Sequence, residues 1–342
     1  MRPVVVLLLS DGIPGHFRQS EGVVAAIARQ RPVTLHRLDL PPPSALGRVA
    51  LNLVAPRVPA LFPDPVLFAG RALPPRPVDL VVSAGGRTLA ANVRAARIYG
   101  CPNLFSGSPR RFGYGAFARV LQIYPRPDPP PSCRLVLKPS PVDPDGAPPP
   151  RPLAAASDAD PARIAVLVGG PVPHADFAEA DWRALADLLR ATARAAPVRF
   201  VLSTSRRTPD AALDHLGPVA RDPAVVGEWI DWRTAGPGSI GRALAADAVA
   251  VTADSMSMIS EAVAMRRPTV VLDPAVRTAS RDDAALDPLL AAGAARRLAL
   301  AAAGPADLLA ALAATTPMPG NPLDALYAAV ADLLPPEGEG AA

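Results

Sequence analysis

The chain has 342 residues, half of them hydrophobic, with 4% aromatic residues and a formal charge of +4. This length suits two domains, and no apolar stretch approaches the roughly 20 residues of a membrane span. The arginines are scattered singly rather than grouped with aromatics, which argues against nucleic acid. Cys101 and Cys133 have neither metal-ligand spacing nor the number for a disulfide framework, which fits a reducing cytoplasm.

Residues 4–9 are a continuous Val/Leu run, the pattern of a strand covered on both faces of a parallel sheet. The run superficially resembles a signal peptide, but it stops at Ser10-Asp11-Gly12 with no small-residue cleavage site. A loop from Ser10 to Ser20, holding Gly12, Gly15, His16 and Gln19, leads to a helical run over residues 21–29. Strand, glycine turn and helix follow in the order of a nucleotide-binding fold. The glycines equally suit a tight turn, and a lone histidine such as His16 equally suits a structural role. Residues 33–38 predict the second strand and 78–83 another, which turns through Ala84-Gly85-Gly86-Arg87-Thr88 into a helix over 89–99. Strands at 102–105 and 119–124 continue the alternation. Prolines stud residues 41–77 and again 125–161, and the second stretch reads as a stiff extended connection. The expected domains are therefore 1–150 and 160–342, with residues 134–137 as a candidate edge strand.

The second half restarts the pattern at residues 163–168, ending in Gly169-Gly170 before a helix over 177–195 in which Trp182 repeats with Leu185 and Leu189 as core. The next strand, 198–202, runs into Ser205-Arg206-Arg207-Thr208-Pro209, whose guanidiniums and hydroxyls suit phosphate oxygens or a solvated basic loop. A short strand at 225–230 carries Trp229 and Ile230. Then comes Thr252-Ala253-Asp254-Ser255-Met256-Ser257, between a strand at 248–251 and a helix bearing Glu261. A helix that starts on small polar residues presents unpaired amides and a positive dipole end, a seat for a phosphate. A carboxylate two turns on could accept from ribose hydroxyls. The same stretch also fits a plain strand–helix–strand unit with a capping serine and a solvated glutamate. Residues 323–334 predict a last helix, placed with the second domain.

Several of these residues resemble the ELM-type mitochondrial-fission family. They are Asp254 to Ala262 with Arg267-Pro268, Ser205 to Pro209, Val168-Gly169-Gly170, and Asp11-Gly12 with Gly15-His16 and Gln19. The bacterial members of that family are regarded as glycosyltransferases. A more distant similarity is to the lipid-intermediate N-acetylglucosaminyl transferase of peptidoglycan synthesis, through Gly15-His16, Ala84-Gly85-Gly86 with Tyr99 to Pro102, and Ser260-Glu261. Where the fission family tends to carry proline-x-histidine-aspartate, this chain has Pro125-Arg126-Pro127-Asp128.

The resemblance implies a GT-B-like α/β protein, two doubly wound Rossmann-like domains facing a central cleft. It implies transfer of a sugar from a nucleotide-diphosphate donor, a UDP-sugar, to a lipid-linked or envelope acceptor, in the cytoplasm or peripheral to the inner membrane. Gly169, Gly170, Ser205, Arg206, Arg207, Trp229, Ile230, Asp254, Ser255, Met256, Ser257 and Glu261 would hold the donor. Gly12, Gly15, Gln19, Gly85, Gly86 and Arg87 would face the acceptor, with His16 as general base and Asp11 as its substitute or orienter. No metal and no other cofactor is expected. The alternatives are a non-catalytic scaffold on the same fold and a nucleotide-sugar epimerase.

Overall fold

The computed structural model describes residues 2–42, 47, 63–236 and 238–336. The chain divides into two compact units, Met1–Pro141 with Asn321–Ala342, and Val142–Gly320. Most of the proline-studded stretch after residue 42 lies outside the described residues.

In the first unit the elements run β1 (Val4–Ser10), α1 (Pro14–Gln30), β2 (Val33–Asp39), α2 (Asp64–Leu67), β3 (Leu80–Ala84), α3 (Leu89–Tyr99), β4 (Asn103–Ser106), β5 (Arg119–Gln122) and β6 (Cys133–Leu135). The six strands form one parallel sheet in the order β2-β1-β3-β4-β5-β6. Alternation along β1 divides the core between two faces: Val4 and Val6 pack with Val23 and Ile27 of α1, while Leu7 and Leu9 pack with Val81, Ala91 and Tyr99. The first strand therefore reads as an unbroken apolar run because both faces are covered.

The second unit runs β7 (Ala162–Val168), α4 (Glu179–Ala195), β8 (Val198–Thr204), α5 (Asp210–Ala220), β9 (Val226–Ile230), α6 (Trp232–Ala235), α7 (Ile240–Leu244), β10 (Ala248–Thr252), α8 (Met256–Ala264), β11 (Thr269–Asp273), α9 (Arg281–Ala291), β12 (Arg296–Ala299) and α10 (Pro305–Ala313). Its sheet is also parallel, in the order β12-β11-β10-β7-β8-β9. Trp182 is buried in the core and stacks on Phe177 at 4.9 Å.

Two differences from the sequence reading concern the ends of the units. The last helix, α11 (Pro322–Ala328), packs on the first unit instead of the second. Asn321 caps it, accepting from the Leu323 amide, and Leu323, Leu326 and Val330 complete the cluster around Val4 and Val23. Arg29 and Arg119 then hold Asp324 and Asp332 at 2.8 and 2.6 Å. The proline-studded connection is also packed instead of merely extended. Ser140 lies so close to Gly22 of α1 that a β-carbon there would overlap the Ser140 backbone, and Arg267 donates to the Pro148 carbonyl at 2.7 Å.

Candidate functional site

Each sheet has one place where successive strands depart in opposite directions. In the first unit it lies between β1 and β3, in the second between β7 and β10. In open α/β sheets the crevice outside the strand carboxyl ends at this point is where ligands bind. Most of the residues singled out from sequence lie at or beside these two points, while Trp229 and Ile230 end β9 at the far edge of the second sheet.

In the second unit Gly169 and Gly170 follow β7, Ser205 to Thr208 follow β8, and Asp254 follows β10. Thr208 ties two of these ends, its Oγ1 donating to Val168 O at 2.8 Å and accepting from the Ser205 amide at 2.8 Å. Asp254 ties the third, its Oδ2 accepting from the Gly170 amide and from Arg207 Nη2, both at 2.9 Å. The side chain is fully shielded from solvent, and its Oδ1 has no hydrogen-bond partner among the described residues. Burial pushes its pKa above the ordinary carboxylate value, opposed by the hydrogen bonds from Thr252 and Gly170 and by the Arg207 charge.

This geometry corrects one expectation. The resemblance has Gly169 and Gly170 hold the donor, but their amides are already used: Gly169 N–H donates to Thr252 Oγ1 at 2.8 Å and Gly170 N–H to Asp254. The glycines serve close approach instead. A β-carbon on Gly169 would overlap the Asp254 carboxylate, and one on Gly170 would overlap the Arg207 carbonyl. Asp254 is likewise an anchor for the loops rather than an exposed ligand group.

Beyond Asp254, Ser255 caps α8, its Oγ accepting from the Met258 amide. Met256 is buried and Ser257 half-buried in the first turn, while Glu261 is buried about a turn and a half along. Arg206 is exposed, and Arg207 keeps part of its guanidinium in solvent. Trp229 is half-buried and Ile230 buried at the end of β9.

In the first unit α1 starts at Pro14, so Gly15, His16 and Gln19 stand on its opening turns instead of in a loop. Asp11 is buried, with Oδ1 accepting from the Ile13 amide at 3.1 Å and Oδ2 facing His16 Nδ1 at 2.9 Å. The His16 side chain is 35% exposed. Gly85, at φ +88°, packs against this pair, and any β-carbon there would overlap His16 Nδ1 and Asp11 Oδ2. Gly12, at φ +75°, makes the turn after β1. Gln19 donates to Gly15 O at 3.1 Å and accepts from Ser106 Oγ at 2.9 Å, joining α1 to the end of β4. Arg87 is half-buried beside Gly86.

Sequence reasoning named Thr208 and Thr252 but missed their role in tying strand ends, and it missed Ser106 and Arg110. The Arg110 guanidinium lies over Gly86 on a residue at φ +51°. A hydroxyl three residues after Ser205 is a signal for Thr208; nothing local marks the others, whose roles come from strands distant in sequence. Among the described residues no group of three His, Cys, Asp or Glu side chains is placed to hold a metal ion. No helix among them is long and apolar enough to cross a membrane.

The sequence profile described as "Mitochondrial fission ELM1" matches residues 14–326. The chain belongs to the mitochondrial fission ELM1 family. No curated protein matches this ELM1-family chain. Among solved structures it is similar to MurG of Acinetobacter baumannii, at 16% identity over 97% of this chain and 99% of that one, with a TM-score of 0.51. It is similar to the MnaA–UDP structure of S. aureus, at 10% identity over 95% and 94%, TM-score 0.53. A glycosyltransferase of kitacinnamycin matches at 15% identity over 97% and 96%, TM-score 0.50. These likenesses show that the ELM1-family protein has a GT-B, glycosyltransferase-like fold.

Proposed function

We propose that the protein is a glycosyltransferase that moves a sugar from a UDP-sugar to a lipid-linked or envelope acceptor at the cytoplasmic surface of a membrane. The observation that carries the reading is the second unit's switch point, where Arg206, Arg207 and the amino end of α8 collect at the carboxyl ends of β8 and β10. Such an end favours anions, and guanidiniums answer phosphate oxygens in pairs. In this proposal the remaining Arg207 N–H groups, Arg206 and the first amides of α8 hold the diphosphate, without an ion to balance its charge. Glu261 accepts from the ribose hydroxyls, and the backbone around Trp229 and Ile230 faces the base.

The first unit supplies the acceptor side. As the acceptor oxygen bonds to the anomeric carbon, the bond from that carbon to the diphosphate breaks, and His16 Nε2 takes the hydroxyl proton. Asp11 holds Nδ1, which fixes the ring and stabilises the imidazolium. Gly12, Gly15, Gln19, Gly85, Gly86 and Arg87 shape the approach.

The test is calorimetry with UDP, ADP and uridine, followed by product analysis with a UDP-sugar. Specific binding at 100 times Kd stabilises by about 2.7 kcal/mol. Sugar appearing on an acceptor supports transfer, while an isomerised donor without acceptor makes the protein an epimerase. Binding without turnover makes it a scaffold, and binding of no nucleoside diphosphate overturns the reading.

A further inference from the structure

A cavity of about 350 Å³ opens in the second unit, lined by the strap 144–150, Pro317 and the turn Met265-Arg266-Arg267. It lies at the edge of the sheet where strands begin. The turn follows α8 and precedes β11, and Pro268 O accepts from Val249 N at the start of β10. The switch point is at the other edge. This volume is within the ~300–1,000 Å³ usual for small-molecule pockets.

Two arginines, Arg266 and Arg267, line it against one acidic residue, Asp145. Arg267 is 2% exposed and donates to two carbonyls, Leu244 O at 3.0 Å and Pro148 O at 2.7 Å. Burial lowers its pKa and Asp247 opposes that, but no carboxylate among the described residues lies within ion-pair distance. A buried charge without a counter-charge is costly. Arg267 alone could be a staple, since its bonds tie the strap to the end of α7. Arg266 cannot be read that way: its Nε is buried with no hydrogen-bond partner among the described residues. It also sits at φ +56°, where glycine is the easy choice. The chain thus places Arg266, in an unfavourable backbone conformation, in the wall of a cavity where its Nε has no hydrogen-bond partner among the described residues.

We propose that this cavity binds a small organic anion, an apolar or aromatic body bearing a carboxylate or phosphate. Arg266 and Arg267 meet the anionic group, and the prolines and Met265 pack on the body. Benzoate and phenyl phosphate separate the two head groups, and benzyl alcohol supplies the neutral control. Calorimetry on the full chain should show at least one anion binding with Kd below about 1 mM, and the alcohol binding at least about tenfold more weakly. Arg266→Gly suits the backbone, so its Tm should equal or exceed the wild type while anion affinity falls about tenfold or more. Neither anion binding below about 10 mM, or equal affinity in wild type and Arg266→Gly, would overturn the proposal.

Discussion

Gly169 lies directly against the Asp254 carboxylate, leaving no room for a β-carbon, while the next amide, Gly170 N–H, donates to the same group at 2.9 Å. The ends of β7 and β10 are thereby locked across the switch point of the second unit. Gly169→Ala must push either loop away, and overpacking of this kind costs about 1 to 3 kcal/mol. Urea unfolding followed by circular dichroism should show that loss. An unchanged midpoint would mean that the loops part without cost and that the lock is not rigid.

Asp254 also carries a pH dependence with a definite sign. Its pKa is raised above the ordinary 3.8 in the folded protein, chiefly by burial. The folded state therefore binds the proton more tightly than the unfolded chain, and this group's stabilising contribution is full below 3.8 and is lost as pH rises through the raised value. Asp254→Asn has no such proton. The Tm of wild type minus that of the variant should fall as pH is raised from below 3.8 into the neutral range, and a difference that grows with pH would contradict the burial argument.

His16 and Asp11 predict a split between turnover and affinity. If the His16 ring takes the acceptor proton, His16→Ala lowers the single-turnover rate by about 100-fold or more and leaves UDP binding nearly unchanged. Asp11→Asn, which keeps the shape and loses the charge on Nδ1, should give a smaller loss and shift the pH profile of the rate. Asp11 is buried with both oxygens occupied, so the proposal gives it the positioning of His16 and not the part of a substitute base. Wild-type rates in His16→Ala would move the base elsewhere.

Arg206 and Arg207 differ in setting. Arg207 is anchored to Asp254 and Arg206 is exposed, so Arg207→Ala should cost more UDP affinity than Arg206→Ala. Both losses should exceed any change for uridine, which lacks phosphate charge. Calorimetry with the two ligands reads this directly, and equal losses for UDP and uridine would make the loop structural.

The doubly wound architecture was legible because both sheets are parallel and buried, so that strands such as residues 4–9 and 163–168 appear as apolar runs ending in small residues, Ser10-Asp11-Gly12 and Gly169-Gly170. The helix over 89–99 agreed to the residue, with Gly100 ending it in the left-handed region. The start of α1 was obscured by Pro14 and Gly15, although proline suits the first helical turn. The strand Arg296–Ala299 was missed because it is an edge strand with two arginines, and the helix Arg281–Ala291 because Pro288 interrupts its pattern. The return of the chain to the first unit at Asn321 has no local signature, since a leucine stripe does not say which sheet it will cover. In the same way, the use of the Gly169 and Gly170 amides could not be read from a Gly-Gly pair. Their partners, Thr252 and Asp254, lie more than 80 residues on.

Glu261 gives the sharpest test of which ligand the second unit takes. It is buried on α8 after the capped turn at Ser255. If its carboxylate accepts from ribose hydroxyls, Glu261→Ala should weaken UDP binding by about 1 to 3 kcal/mol, the scale of hydrogen bonds to a charged group. The wild type should also prefer UDP to 2′-deoxy-UDP, and the variant should lose most of that preference, because the missing hydroxyl no longer has a partner to disappoint. Unfolding of the variant would mimic the first effect but not the second, so Glu261→Gln, which keeps the shape and one acceptor oxygen, should fall between them. Equal discrimination between the two nucleotides in wild type and Glu261→Ala would remove the ribose assignment and leave Glu261 as a structural group of the α8 helix.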